Sequence, residues 1–236
     1  TLHEGFNSYG IYLSEIFNCS VHDNRLANLS YGLYSLTYDK EDMLDNPPVS
    51  NLLFNNTVTG CSEYGMVIRS TVGGRISNNF VDDCQTGILI SELKGTILIS
   101  NRITNCFSGL LMEGGFGGRI TVYNETYLSN KIDIGLGEMA TLDTVNCVVN
   151  RSRLSVEPYC QLVTKWYVNL TVNDCLGAPR PGANLKVKTI YGLITTNATT
   201  DQSGRCDWLI VTQNIQKSTG NFTQGPTNFD ARYGNH

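Results

Sequence analysis

Phe54-Asn-Asn-Thr-Val-Thr-Gly-Cys-Ser-Glu-Tyr-Gly-Met-Val-Ile68 returns as Ser77-Asn-Asn-Phe-Val-Asp-Asp-Cys-Gln-Thr-Gly-Ile-Leu-Ile90 and again as Ser100-Asn-Arg-Ile-Thr-Asn-Cys-Phe-Ser-Gly-Leu-Leu-Met112. Each copy supplies an Asn, a short polar run, a Cys, a Gly and an apolar triplet. Self-similarity at a fixed period marks a chain that stacks coil on coil, because one such unit cannot bury its own apolar face and needs its neighbours to do so.

Working outward, the glycines align as Gly10, Gly32, Gly65, Gly87 and Gly109, with spacings of 22, 33, 22 and 22. The odd interval is one repeat plus an insertion near Tyr38 to Pro48, where Asp39, Glu41, Asp42, Asp45, Asn46, Pro47 and Pro48 form an acidic, turn-prone loop. A second column, Asn24, Asn56, Asn79, Asn101, Asn124 and Asn146, has spacings of 32, 23, 22, 23 and 22. Two columns sharing one period predict about six coils, each holding short strand-like runs such as Gly95-Thr-Ile-Leu-Ile99 and no helical stripe. The pattern is that of an all-β protein, a parallel β-helix. Successive coils lie about 4.8 Å apart in that geometry, so equivalent residues stack. The Asn column is then expected to occupy left-handed turns while its amides bond to their copies above and below. The Gly column is expected to mark turns where a Cβ is costly.

A third column runs Asn28, Cys61, Cys84 and Cys106, continued less regularly by Asn130 and Asn150. Free thiols are small and apolar enough to stack inside a coil. Coil spacing also falls within the disulfide Cα range of about 4.4–6.8 Å, although parallel Cβ vectors oppose a bond. The chain opens six residues before Asn7, so the first coil lacks its Asn half. The β-helix is expected to begin upstream of Thr1, or to have its open edge covered by another segment or another copy. With no signal peptide ahead of Thr1, a processed product or a piece of a longer chain is expected.

From Arg151 to Val163 the period lapses, with Pro158, Cys160 and no Gly-plus-triplet. Beyond it, Trp166-Tyr-Val-Asn-Leu-Thr-Val172 and Asn184-Leu-Lys-Val-Lys188 alternate like half-buried strands, and Cys206-Asp-Trp-Leu-Ile-Val211 follows a turn at Asp201-Gln-Ser-Gly204. The pattern therefore divides the chain into a β-helix over residues 1–160 and a small β-sandwich over 161–236.

The string Val168-Asn-Leu-Thr-Val-Asn-Asp-Cys-Leu-Gly-Ala-Pro-Arg-Pro-Gly-Ala-Asn-Leu-Lys-Val187, followed by Thr200-Asp-Gln-Ser-Gly204, resembles the immunoglobulin-like, carboxypeptidase-regulatory-type module of surface proteins. The coils upstream are similar to the right-handed parallel β-helix repeat family. The pairing resembles archaeal cell-surface, sheath and surface-layer proteins. It implies a right-handed parallel β-helix of about six coils followed by a small Ig-like β-sandwich; both families host many roles.

Eight cysteines and eight Asn-x-Ser/Thr sequons, at Asn18, Asn28, Asn55, Asn124, Asn150, Asn169, Asn197 and Asn221, point to an exported glycoprotein carrying N-linked glycans. Cys175 and Cys206 each sit beside a Gly-containing turn, and a bond between them would staple a domain small enough to gain from one. Cys19, Cys147 and Cys160 lie outside the ladder and are further disulfide candidates, including to a neighbouring copy.

Polysaccharide chemistry on a β-helix wants two or three carboxylates with a basic partner on one face of adjacent coils. Asp82 and Asp83, with Glu63 a coil earlier and Arg102 a coil later, are the best such group. Adjacent strand residues point to opposite faces, which makes a solvated turn the better reading of Asp82-Asp83. Glu92 and Glu113 are isolated. His3, His22 and His236 are scattered, and no His/Cys spacing matches a zinc site. The loop from Asp39 to Asp45 could hold Ca²⁺ but lacks the Gly-punctuated order of a calcium loop; no other cofactor is expected. Tyr9, Tyr12, Tyr31, Tyr34, Tyr64, Tyr123 and Tyr127 could bind sugars if exposed, although Tyr also favours strands.

A net charge of −4 gives no basic footprint for nucleic acid, and no apolar run is long enough to span a membrane. With 41% hydrophobic and 16% charged residues, the composition is that of a globular chain. The expectation is a non-enzymatic, glycosylated, self-associating subunit of an extracellular layer, sheath or filament at the cell surface. The alternatives are a carbohydrate-binding or polysaccharide-cleaving β-helix, and an adhesin.

Overall fold

Each repeat folds as three short strands joined by tight turns, and every strand pairs in parallel with its equivalent one repeat away. The computed structural model describes residues 7–36, 51–69, 74–91, 96–113, 119–225 and 228–233. The acidic insertion and its calcium candidates Asp39 to Asp45, together with Glu92, His3 and His236, lie outside the described residues.

The chain divides into two compact units, Thr1–Leu162 with Lys217–Thr219, and Val163–Gln216 with Gly220–His236. In the first, one sheet stacks Tyr9–Ser14, Tyr31–Leu36, Tyr64–Arg69, Thr86–Ser91, Ser108–Glu113, Ile132–Leu136 and Leu154–Val156. A second stacks Ser20–His22, Leu52–Phe54, Arg75–Ser77, Ile97–Ile99, Arg119–Tyr123 and Thr141–Val145. A third stacks Arg25–Ala27, Thr57–Thr59, Phe80–Asp82, Arg102–Thr104 and Thr126–Leu128. The result is a parallel β-solenoid of about six turns. Register is strict: Ile88 pairs with Met66 on one side and Leu110 on the other. A slip would misplace every inward side chain, and Leu33, Met66, Ile88, Leu110 and Ile134 line one fully buried file in the core.

The glycine column has a different cause from the one its sequence suggests. Gly32, Gly65, Gly87 and Gly109 sit second in their strands and do not adopt positive φ. What excludes a side chain is space: a Cβ on Gly87 would lie 2.6 Å from the Gly109 carbonyl oxygen and press on the Ile103 side chain. The obstacle is the backbone of the next coil, which cannot swing aside. Gly87→Ala is expected to destabilise the protein by about 2 kcal/mol, read as a lower denaturant midpoint. An unchanged midpoint would show that coil spacing yields to a methyl group.

The second unit contains a three-stranded antiparallel sheet, Ile194–Thr199, Asn184–Lys188 and Asn228–Arg232, in which Leu185 faces Ala198 on one side and Ala231 on the other. Leu185, Val187, Cys206, Leu209 and Val211 form its small core, with Trp166, Val168, Leu170, Val172 and Ala198 packed against it. Trp166 donates through Nε1 to Gln213 Oε1 at 2.7 Å, which satisfies the indole while its ring packs. The turn at Asp201 is held by that carboxylate, which accepts from Ser203 N, Ser203 Oγ and Arg205 N at 2.8, 2.7 and 3.0 Å. Bonding to Ser203 and Arg205 keeps the Asp201 carboxyl below its ordinary range. Among the described residues, no helix is long and apolar enough to cross a membrane.

Candidate functional site

Inside the solenoid, each coil carries a two-residue corner whose members have opposite duties: Asp23-Asn24, Asn55-Asn56, Asn78-Asn79, Ser100-Asn101, Asn124-Glu125 and Asn146-Cys147. The first residue of each pair takes positive φ, between 53° and 58°, and turns the chain. The second points inward. Asn24 Nδ2 donates to Asn56 Oδ1 at 3.0 Å, Asn56 Nδ2 to Asn79 Oδ1 at 3.0 Å, and Asn79 Nδ2 to Asn101 Oδ1 at 2.9 Å. The backbone N–H of each rung reaches the same oxygen, and each buried amide also donates to a carbonyl of the preceding coil, as Asn79 does to Leu53 O at 2.9 Å.

This corrects two sequence readings. The left-handed turn and the amide ladder belong to adjacent residues rather than to one. Asn124 and Asn146 are therefore not rungs: they are exposed corner residues, and Asn146 Nδ2 donates to Asn124 Oδ1 at 2.8 Å. The fifth rung is Glu125, whose Oε1 accepts from Asn101 N at 3.1 Å and Asn101 Nδ2 at 2.9 Å. The sixth position is Cys147, whose thiol approaches Val122 O at 3.7 Å as a rung amide would.

Glu125 is fully buried and its Oε2 has no hydrogen-bond partner, as is true of the buried Tyr127 hydroxyl. Burial pushes the Glu125 carboxyl up to about 8, so at neutral pH it is mainly the uncharged acid. Burial also raises the Tyr127 hydroxyl well above its ordinary value.

The thiol file is Cys61, Cys84 and Cys106, all buried, preceded by Leu29 and closed by Asn130. Asn28 is a corner residue level with Gly60, not the head of this file, because its backbone N–H bonds to Thr59 O. Asn130 Oδ1 accepts from Cys106 N at 2.9 Å, and its Nδ2 donates to Asp133 Oδ1 at 3.1 Å. Asp133 in turn accepts from Asn150 N at 2.8 Å, so a buried acidic side chain ends this file as Glu125 ends the other. The hydrogen bond toward Cys106 and burial push the Cys84 thiol up to about 12; the bond between Cys61 and Cys84 raises Cys61, and that with Cys84 lowers Cys106.

All eight cysteines are free. Cys175 lies exposed in its turn while Cys206 is buried in the small core, so the expected staple is not formed. Cys147 and Cys160 are buried and Cys19 is half-buried.

On the outer surface the carboxylate group proposed from sequence does not assemble. Asp82 Oδ1 accepts from Thr104 Oγ1 at 2.6 Å and Asn105 Nδ2 at 2.8 Å, which commits it to tying two coils together. Asp83 is an exposed left-handed corner. Glu63 accepts from the Tyr31 hydroxyl at 2.5 Å, a bond that raises the Tyr31 hydroxyl above its ordinary value. Arg102 is exposed on the strand beside Phe80, and Glu113 faces Arg69 at 3.8 Å. His22 is exposed, bonded to Asp23 at 2.7 Å and stacked on Phe54 at 4.7 Å.

The tyrosines do assemble. Tyr9, Tyr31 and Tyr64 stack in file, with centroids 4.7 and 5.5 Å apart, and Tyr12 stacks on Tyr34 at 5.2 Å. Tyr9 meets Tyr12, and Tyr31 meets Tyr34, edge to face. Tyr31 carries a stacked ring on both faces, whereas Tyr9 and Tyr12 are 41% and 50% exposed and Tyr123 is half-buried with no stacked ring among the described residues. Tyr127 is interior.

A family model described as NosD, periplasmic copper-binding protein, matches residues 2–141, more than half of the chain. No curated protein matches the sequence. Whether copper fits this chain depends on the donors it presents. Copper(I) selects thiolates and thioethers, and copper(II) adds imidazole. Among the described residues, no group of three or more His, Cys, Asp or Glu side chains is arranged to hold a metal ion. The thiols that do stack are buried, and Cys61 and Cys84 are biased toward the protonated form that does not ligate. The described His, Cys, Asp and Glu side chains thus form no copper centre. The matched segment, the repeat period and the parallel three-sheet solenoid nonetheless agree with one another: the chain belongs to the NosD family.

Proposed function

We propose that the chain is a non-catalytic structural subunit of a layer, sheath or filament outside the cell membrane. In this reading its solenoid is a stiff spacer that associates end-on with other copies, and its C-terminal unit is an Ig-like docking sandwich of the kind found in archaeal surface proteins. The observation that carries it is the stack itself. Strands recur in parallel register through about six turns, and each turn meets the next through the same backbone edge and the same amide file. A further turn supplied by another copy would therefore meet a matching surface. Tyr9 and Tyr12, 41% and 50% exposed, stack on Tyr31 and Tyr34 in the same repeating way. A polysaccharide-cleaving reading has no comparable support, since Asp82 is held by Thr104 and Asn105 and Glu63 by Tyr31, and neither is brought together with Arg102.

The test is light scattering and sedimentation velocity over a wide concentration range, on the native chain and on a Tyr9→Lys/Tyr12→Lys double variant. The native protein is expected to form particles that grow with concentration. The variant, whose charges would repel across the joint, is expected to remain monomeric with an unchanged thermal melt. A native protein that stays monomeric throughout overturns the proposal.

A further inference from the structure

The asparagines of this chain are sorted by the fold. All eight that begin an Asn-x-Ser/Thr sequon are exposed, and none of the eight hydroxyl residues two places on is buried. Of the fourteen other asparagines among the described residues, seven are exposed, six are buried and one is half-buried. The contrast holds within a single dipeptide: in Asn55-Asn56 the sequon begins on the outward residue, while its neighbour is a buried rung. A sequon scattered by composition alone has no reason to avoid the inward position.

Geometry adds a second point. Asn18, Asn28, Asn55 and Asn124 all take positive φ at solenoid corners, which carries their side chains away from the coil while the following residue turns in or packs against it. At Asn124 the amide oxygen is occupied by Asn146 Nδ2, and at Asn150 it accepts from Ser152 N at 3.1 Å and Ser152 Oγ at 2.8 Å. In both cases the oxygen is held and the nitrogen, the atom a glycan needs, is not.

We propose that Asn18, Asn28, Asn55, Asn124 and Asn150 are N-glycosylation sites, so that oligosaccharides radiate from the corners and leave the three sheet faces bare. The donor is a lipid phosphate- or pyrophosphate-linked oligosaccharide. Asn Nδ2 forms a bond to the anomeric carbon as the bond from that carbon to the carrier phosphate oxygen breaks. The electron pair leaves with the phosphate, and one amide proton is lost. The sites do not depend on end-on assembly, since none lies in a sheet strand of the solenoid.

The experiment is peptide mass mapping of the protein isolated from its own cells, together with a Ser152→Ala variant expressed in the same cells. Hexose-containing mass additions are expected on the peptides holding Asn18, Asn28, Asn55, Asn124 and Asn150. The variant keeps its asparagine but loses the acceptor hydroxyl, and it is expected to lose the addition at Asn150 alone, with the other sites and the thermal melt unchanged. Bare corner peptides would overturn the proposal, as would sugar confined to Asn169, Asn197 or Asn221, or sugar persisting at Asn150 in the variant.

Discussion

Asn79→Ala is expected to lower the unfolding free energy by about 3 kcal/mol or more, enough to broaden or abolish cooperative melting. One side chain makes four bonds here. Its oxygen accepts from Asn56 N and Asn56 Nδ2, and its nitrogen donates to Leu53 O and Asn101 Oδ1. Without it, the buried Asn56 N–H and the Leu53 carbonyl lose these partners in a place water does not reach, and a cavity opens beside them. Asn79→Asp is nearly isosteric and is expected to fare no better, because an acceptor then faces the Leu53 and Asn101 oxygens. Asn78→Gly is the control: it changes the adjacent exposed corner, where positive φ suits Gly, and should cost little. Equilibrium denaturation of the three variants checks this, and equal losses at positions 78 and 79 would contradict it.

Glu125→Gln is expected to stabilise the protein and flatten its dependence on pH. The Glu125 carboxyl sits near 8 in the folded chain, against an ordinary value of 4.5. The sign follows from proton counting. Between those values the unfolded chain has released a proton that the folded chain retains, so unfolding releases one and rising pH favours it. The stabilising contribution is complete below about 4.5 and is lost by about 1.4 kcal/mol per pH unit until Glu125 ionises in place. Gln keeps an oxygen for Asn101 and offers an N–H where Oε2 has no partner. Thermal melts from pH 5 to 8 should therefore diverge, with the variant increasingly the more stable. Asp174, Asp201 and Asp230 do not confuse the comparison. Their carboxyls are held below the ordinary range, Asp174 chiefly by the Ala178 N–H and Asp230 chiefly by Lys188. The stability they give is lost only as pH falls through that lower range. Parallel curves for the two proteins would mean that Glu125 is charged in the fold.

The ladders show how much of this was legible in the residues. The period, the parallel coils and the rungs Asn24, Asn56, Asn79 and Asn101 follow from spacing, because stacked equivalents must recur once per coil. The column slipped at Asn124, since Asn is the residue common to corner and rung, and nothing in a single-letter alignment separates the two duties. Aligning dipeptides does so: Asn-Asn, Asn-Asn, Ser-Asn, Asn-Glu and Asn-Cys fall into register, and Glu125 emerges as a rung. The glycines were found for the wrong reason, because a close approach between coils leaves the same mark as a left-handed turn. The Asp82-Asp83 group looked like a candidate site because sequence gives proximity without partners. Only coordinates show that Thr104 and Asn105 already hold Asp82. The tyrosine stack was visible as a composition but not as a surface, since whether rings meet face to face depends on how far apart the coils run.

The amide file has a direction. From side chain to side chain, each rung passes one hydrogen the same way along the axis, from Asn24 toward Glu125, while the second hydrogen of each buried amide goes back to a carbonyl of the preceding coil. Glu125 receives without passing any on through an amide. A duplicated cassette of one coil, inserted between Asn79 and Asn101, would meet the same donor below and the same acceptor above. Beyond Glu125 it would meet neither. The molecule can therefore be lengthened by copying on one side of that residue and not on the other, which makes Glu125 the stop mark of an otherwise extensible ruler.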